Sequence, residues 1–92
     1  MNTVLSHKQT LTLRAQAHHL NPVVLLGEKG LTDNVVEETN LALLAHELIK
    51  VKINSADRDE RKHIAAELAN RCNAQLIQTI GRMTVLYRKN EG

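Results

Sequence analysis

The residues best placed to do chemistry lie in Gly27-Glu28-Lys29-Gly30-Leu31-Thr32, directly after the apolar run Val23-Val24-Leu25-Leu26. Two glycines separated by two charged residues, then a threonine suited to cap a helix, predict a buried strand, a tight loop and a helix start. Glycines let the backbone turn sharply and allow a ligand to come close. A helix start adds unpaired N–H groups and a partial positive charge, and Lys29 adds a full one. Such a corner suits an anion, with phosphate the obvious candidate. The spacing is not that of the nucleotide triphosphate loop, GxxxxGK[ST], nor of the dinucleotide loop, GxGxxG. GxxG alone is weak, and on those four residues the favoured reading is a strand-to-helix turn that holds nothing.

Other reactive types form no recognisable constellation. His7, His18, His19, His46 and His63 fit no metal-ligand spacing, and HExxH and paired cysteines are absent. The adjacent pairs Glu37-Glu38 and Asp59-Glu60 fall in predicted helices, where neighbours diverge rather than converge on a substrate. No GxSxG or Cys–His nucleophile pattern is present. The expectation is a non-enzyme with no metal, no cofactor and no small-molecule substrate.

Composition narrows the class. The chain has 92 residues, enough for one domain, expected over residues 1–92. It is 42% hydrophobic with one Tyr and no Phe or Trp, so its core must be aliphatic. That also argues against nucleic-acid binding on a platform of aromatic rings. Net charge is +2, but six of the ten acidic residues fall between Glu28 and Asp57, and seven of the twelve basic residues between Arg58 and Lys89. Cys72 is the sole cysteine, so no intramolecular disulfide can form. It falls on an apolar stripe and reads as a buried, inert thiol. No apolar run approaches the ~20 residues of a membrane span, and Met1 to Leu20 carry polar residues throughout. A cytoplasmic protein with no membrane partner is expected.

The elements that must position the corner follow from periodicity. Ser6 caps a weakly amphipathic helix running to Leu20, which Asn21-Pro22 ends. After the strand Val23 to Leu26, Val35, Val36, Thr39, Leu43 and Leu44 mark a helix from Asp33 to His46, with Glu37, Glu38 and Asn40 on its wet side. Ile49, Val51 and Ile53 alternate with Lys50 and Lys52, as in a strand with one face in the core and the other toward water or a partner. Asn54 to Asp57 turn and cap a helix from Arg58 to Cys72. Its stripe includes Arg61, Ile64, Ala65, Leu68 and Ala69, and Asp59, Glu60 and Glu67 are expected to neutralise part of Arg58, Lys62 and Arg71. Ala74 to Ile80 and Met83 to Arg88 make a hairpin around Gly81-Arg82. The fold class expected is α/β: a small two-layer domain with a mixed four-stranded sheet in the order α-β-α-β-α-β-β.

Three blocks, Leu25 to Thr32, Glu47 to Lys52 and Gly81 to Arg88, occur together in an order and spacing that resembles the CRM domain family (chloroplast RNA splicing and ribosome maturation) in its single-domain bacterial, YhbY-like form. The resemblance covers essentially the whole chain. It implies a fold similar to the C-terminal domain of bacterial translation initiation factor 3, and an RNA-binding module. Bacterial members are associated with precursors of the large ribosomal subunit, and plant relatives with organelle intron splicing. It also implies that the GxxG loop contacts RNA, similar in kind to the GxxG loop of KH domains.

The expected partner is therefore RNA, structured rRNA of the large-subunit precursor, bound by a protein that assists ribosome assembly. The expected contact residues are Gly27, Glu28, Lys29, Gly30, Leu31 and Thr32 in the loop, with Glu28 turned away from phosphate. Lys50, Lys52, Arg58, Lys62, Arg82 and Arg88 extend the track; Arg61 is ambiguous because it also fits the apolar stripe. The competing expectation is a protein-interaction module whose acidic flank, Glu37 and Glu38, docks a basic ribosomal protein. A monomer is expected because no surplus apolar stripe is evident.

Overall fold

The computed structural model describes residues 5–90. The elements are α1 (His7–Ala17), β1 (Val24–Leu26), α2 (Asp33–His46), β2 (Leu48–Ile53), α3 (Arg58–Arg71), β3 (Gln75–Ile80) and β4 (Met83–Tyr87). Each helix starts on a side-chain cap. The Ser6 hydroxyl accepts from the Gln9 amide at 3.1 Å while the Gln9 side chain accepts from the Ser6 amide at 2.8 Å, a reciprocal capping box. The Thr32 hydroxyl accepts from the Val35 amide, and the Asp57 carboxylate from the amides of Asp59 and Glu60. Helix α1 stops at Ala17, three residues short of the expected Leu20. The Leu20 amide instead bonds the Ala17 carbonyl, closing a turn ahead of Pro22.

The sheet order is β1-β2-β4-β3, with β1 parallel to β2 and the other two pairings antiparallel. This is the mixed four-stranded sheet expected of crossover helices followed by a hairpin. The alternation of β2 sends Ile49, Val51 and Ile53 into the main core. There they are buried with Val24, Leu26, Leu43, Leu68 and Leu86 beneath α2 and α3. Cys72 lies in this cluster, and Leu31 packs against its edge.

The layering is fuller than two. Helix α1 lies on the opposite face of the sheet, where Ala17 is buried with Ile77 and Val85 among Leu13, Leu20, Leu48 and Tyr87. The even positions of β2 and the odd positions of β4 point to that side, and α1 covers their Leu48–Tyr87 end. A bulge in β3 between Leu76 and Gln78 breaks the two-residue period. Ile77 is thereby buried under α1 although Gln78, its neighbour, pairs with Val85 in the same layer.

Candidate functional site

Gly27 to Gly30 form a tight turn, the Gly30 amide donating to the Gly27 carbonyl at 3.0 Å. Gly30 has φ +68°, a left-handed conformation that a side chain disfavours. A Cβ at either glycine would meet no atom within 4 Å, so both backbones face open space. Glu28 and Lys29 are exposed at the apex. Leu31 anchors the loop to the core and Thr32 uses its hydroxyl as the α2 cap. Asp33 is ion-paired to Arg71 at 2.9 Å, tying the first turn of α2 to the last turn of α3.

Hydrogen bonds draw two further loops to the same end of the sheet. The Asn54 amide donates to the Leu26 carbonyl at 3.0 Å, directly before Gly27. The Ile53 amide donates to the Arg82 carbonyl at 2.7 Å, and the Arg82 guanidinium to the Asn54 side chain at 3.2 Å. Arg61 fastens the hairpin tip to the start of α3, donating to the carbonyls of Gly81 at 3.0 Å and Ser55 at 2.7 Å. Its place on the stripe is therefore a clamp. Arg58, Arg61 and Lys62 line a cleft of about 260 Å³ beside Gly81.

The predicted cations separate into groups. Lys29, Lys52, Arg58, Lys62 and Arg82 belong to this end. Lys50 lies one step further along the same sheet face as Lys52, beside α1. Arg88 is at the opposite end, half-buried, and its guanidinium donates to the Asn40 side chain and the Cys72 carbonyl at 2.7 Å each, and to the Asn40 carbonyl at 3.1 Å. That geometry makes Arg88 a brace between α2, α3 and β4. The expected neutralisation along α3 also differs. The Ser55 hydroxyl donates to Glu60, Arg71 pairs with Asp33, and Arg58 and Lys62 have no ion-pair partner among the described residues. Exposed pairs at helical spacing gain too little to hold two long side chains together.

Sequence reasoning missed Arg14, His18 and Gln78. They line a second cleft, between α1 and the sheet, together with Lys50, Ile80 and Met83. The signal was hidden because the placement of α1 and the β3 bulge are both tertiary facts. Outside these clefts, Leu41 and Leu44 on α2 are each 61% exposed beside the exposed Glu37 and Glu38, so surplus apolar surface is present after all. Burial pushes the Cys72 thiol pKa upward, with Arg88 and Arg71 offsetting part of the shift. Among the described residues no cluster of three or more His, Cys, Asp or Glu could hold a metal, and no helix is long and apolar enough to cross a membrane.

The family model for the CRS1 / YhbY (CRM) domain matches residues 5–88. A Haemophilus influenzae protein named as an RNA-binding protein is 49% identical over 97% of this chain and 90% of its own length. A Pseudomonas aeruginosa protein named a probable RNA-binding protein is 43% identical, over 94% of this chain and 83% of its own. The solution structure of a Staphylococcus aureus protein superposes with a TM-score of 0.86 at 32% identity, covering 97% of this chain and 93% of that one.

Proposed function

The chain belongs to the CRS1/YhbY (CRM) domain family, and from that premise we propose that it is an RNA-binding protein. Its relatives in two bacteria carry RNA-binding names, which supports the same partner here. We take the RNA to be structured rRNA of the large-subunit precursor, and the role to be assistance in ribosome assembly in the cytoplasm. The observation that carries the reading is a glycine turn whose backbone faces open space, joined through the Asn54 loop to Arg82 at the hairpin tip. The glycines let a sugar-phosphate chain approach without a Cβ between them. Lys29 meets phosphate at the apex, with Glu28 turned away. The amides near Leu31, Thr32 and Asp33 add to the field at the start of α2. Lacking aromatic platforms, this end reads backbone and shape.

Sedimentation of tagged protein from lysate on a sucrose gradient tests it. Wild type should move with large-subunit precursors, and Gly30→Asp, which adds bulk and negative charge, should stay at the top while its circular dichroism remains native. Wild type at the top under low salt, or Gly30→Asp moving with the particles, would contradict the reading.

A second reading has one observation in its favour. Leu41 and Leu44, exposed beside Glu37 and Glu38, would suit docking of a basic ribosomal protein. A particle complex held that way would survive ribonuclease, whereas one held by RNA would fall apart.

A further inference from the structure

The cleft between α1 and the sheet is a feature that the loop-centred account leaves unused. Its floor is the α1-facing side of the strands. There Ile80 and Met83 are cross-strand partners, and Lys52 and Leu25 continue the same row to the edge of the sheet. Ile80 is 63% exposed and Leu25 60%, so the row presents uncovered apolar surface on either side of Lys52. The next row inward is Lys50, Val85 and Gln78. Arg14 and His18 of α1 form the wall, and the enclosed volume is about 260 Å³. No carboxylate is among the described residues that line it.

The chemistry of this lining is specific. The bulge turns Gln78 into the cleft layer, where its amide offers both a donor and an acceptor. Lys50 has no hydrogen-bond or ion-pair partner among the described residues. Arg14 spends only its Nε, on the Ile77 carbonyl at 3.4 Å, and keeps the rest of its fork. A flat apolar shelf, one amide and two cations complement a group that is itself flat and apolar on its faces, polar at its edge and anionic beyond. The row also contains Lys52, and Met83 follows Arg82 at the hairpin tip, so the cleft adjoins the basic end.

We propose that the cleft between α1 and the sheet holds one unpaired nucleotide of the bound RNA, with the base on Ile80 and Met83, its edge on Gln78 and phosphate on Lys50 and Arg14. The proposal rests on the RNA-binding reading above and adds what that reading lacks, a site that distinguishes unpaired from paired RNA. A base within a duplex presents neither a free face nor a free edge to such a shelf.

Fluorescence anisotropy with a short single-stranded oligoribonucleotide, the same strand annealed to its complement, and free UMP separates the possibilities. For the double variant Gln78→Ala/Ile80→Ser, affinity for the single strand should fall about tenfold, the scale of one base contact, while duplex affinity stays within about twofold. Arg14→Ala, at an exposed helix position, should act in the same direction and guards against a folding defect in the double variant, which a thermal melt also checks. Lys29→Ala should weaken both RNAs. If the cleft variants bind both RNAs like wild type, or weaken both equally, the nucleotide site is overturned while RNA binding stands. If free UMP matches the oligonucleotide, the cleft is a small-molecule site and the proposal fails. If wild type binds neither RNA, the RNA-binding reading fails and takes the cleft with it.

Discussion

At the residue scale, side chains of the same charge do opposite work. Lys29 sits at the apex of an open turn, whereas Arg88 is spent inside the protein on Asn40 and Cys72. Lys29→Ala should therefore leave stability unchanged, weaken RNA binding and reduce the salt slope by about one. Arg88→Met should do the reverse. Losing three bonds from a charged donor should cost about 2 kcal/mol, lowering Tm by on the order of 10 °C, with RNA affinity of the folded protein preserved. Differential scanning calorimetry and anisotropy on the same samples separate the two. Cys72 gives a pH prediction. Burial raises its folded pKa above the ordinary 9.0. The neutral thiol then stabilises the fold fully below the unfolded pKa, and this contribution is lost as pH rises from there through the folded value. Stability should decline above about pH 9 in wild type and less steeply in Cys72→Ala, followed by denaturant melts. The sequence marked Cys72 as buried because it fell on the stripe of α3. It could not mark Arg88, whose partners lie on two elements distant in the chain.

At the element scale, what could be read was whatever local chemistry decides. Ser6 and Thr32 cap as their types suggest, and β2 alternates in the structure as in the sequence. Thr32→Ala should cost about 1 kcal/mol through loss of the Val35 cap, and Thr32→Ser should restore most of it, as read from urea melts. Equal melts for Thr32→Ala and wild type would show that the cap contributes nothing. The glycine turn was equally legible, since two glycines flanking two charges before a helix cap leave few alternatives. Less legible was anything set by packing between elements. The stripe of α1 is shallow, so nothing local says which sheet face it covers. The β3 bulge shifts the two-residue period, so counting along the strand puts Gln78 on the face opposite Ile77. Those two facts create the cleft, and that is why the sequence pointed to the loop but not to Arg14 or Gln78.

At the scale of the whole molecule, a net charge of +2 understates the electrostatics. Lys29 and Arg82 flank the end of the sheet where the glycine turn, the Asn54 loop and the hairpin tip meet, with Glu28 also exposed there and Asp57, Asp59 and Glu60 exposed beside Arg58 and Lys62 at the start of α3. A polyanion is expected to engage that end and release counterions in proportion to the phosphates neutralised. With Lys29, Lys52, Arg58, Lys62 and Arg82 engaged, log affinity should fall against log salt with a slope of about −4. The most direct test is a KCl series of binding titrations with transcribed large-subunit precursor rRNA, comparing wild type with Lys29→Ala. A slope near −4 in wild type, shallower by about one in the variant, is the predicted result. A flat salt dependence in wild type, or a slope and affinity that Lys29→Ala leaves untouched, would contradict RNA binding at the glycine turn.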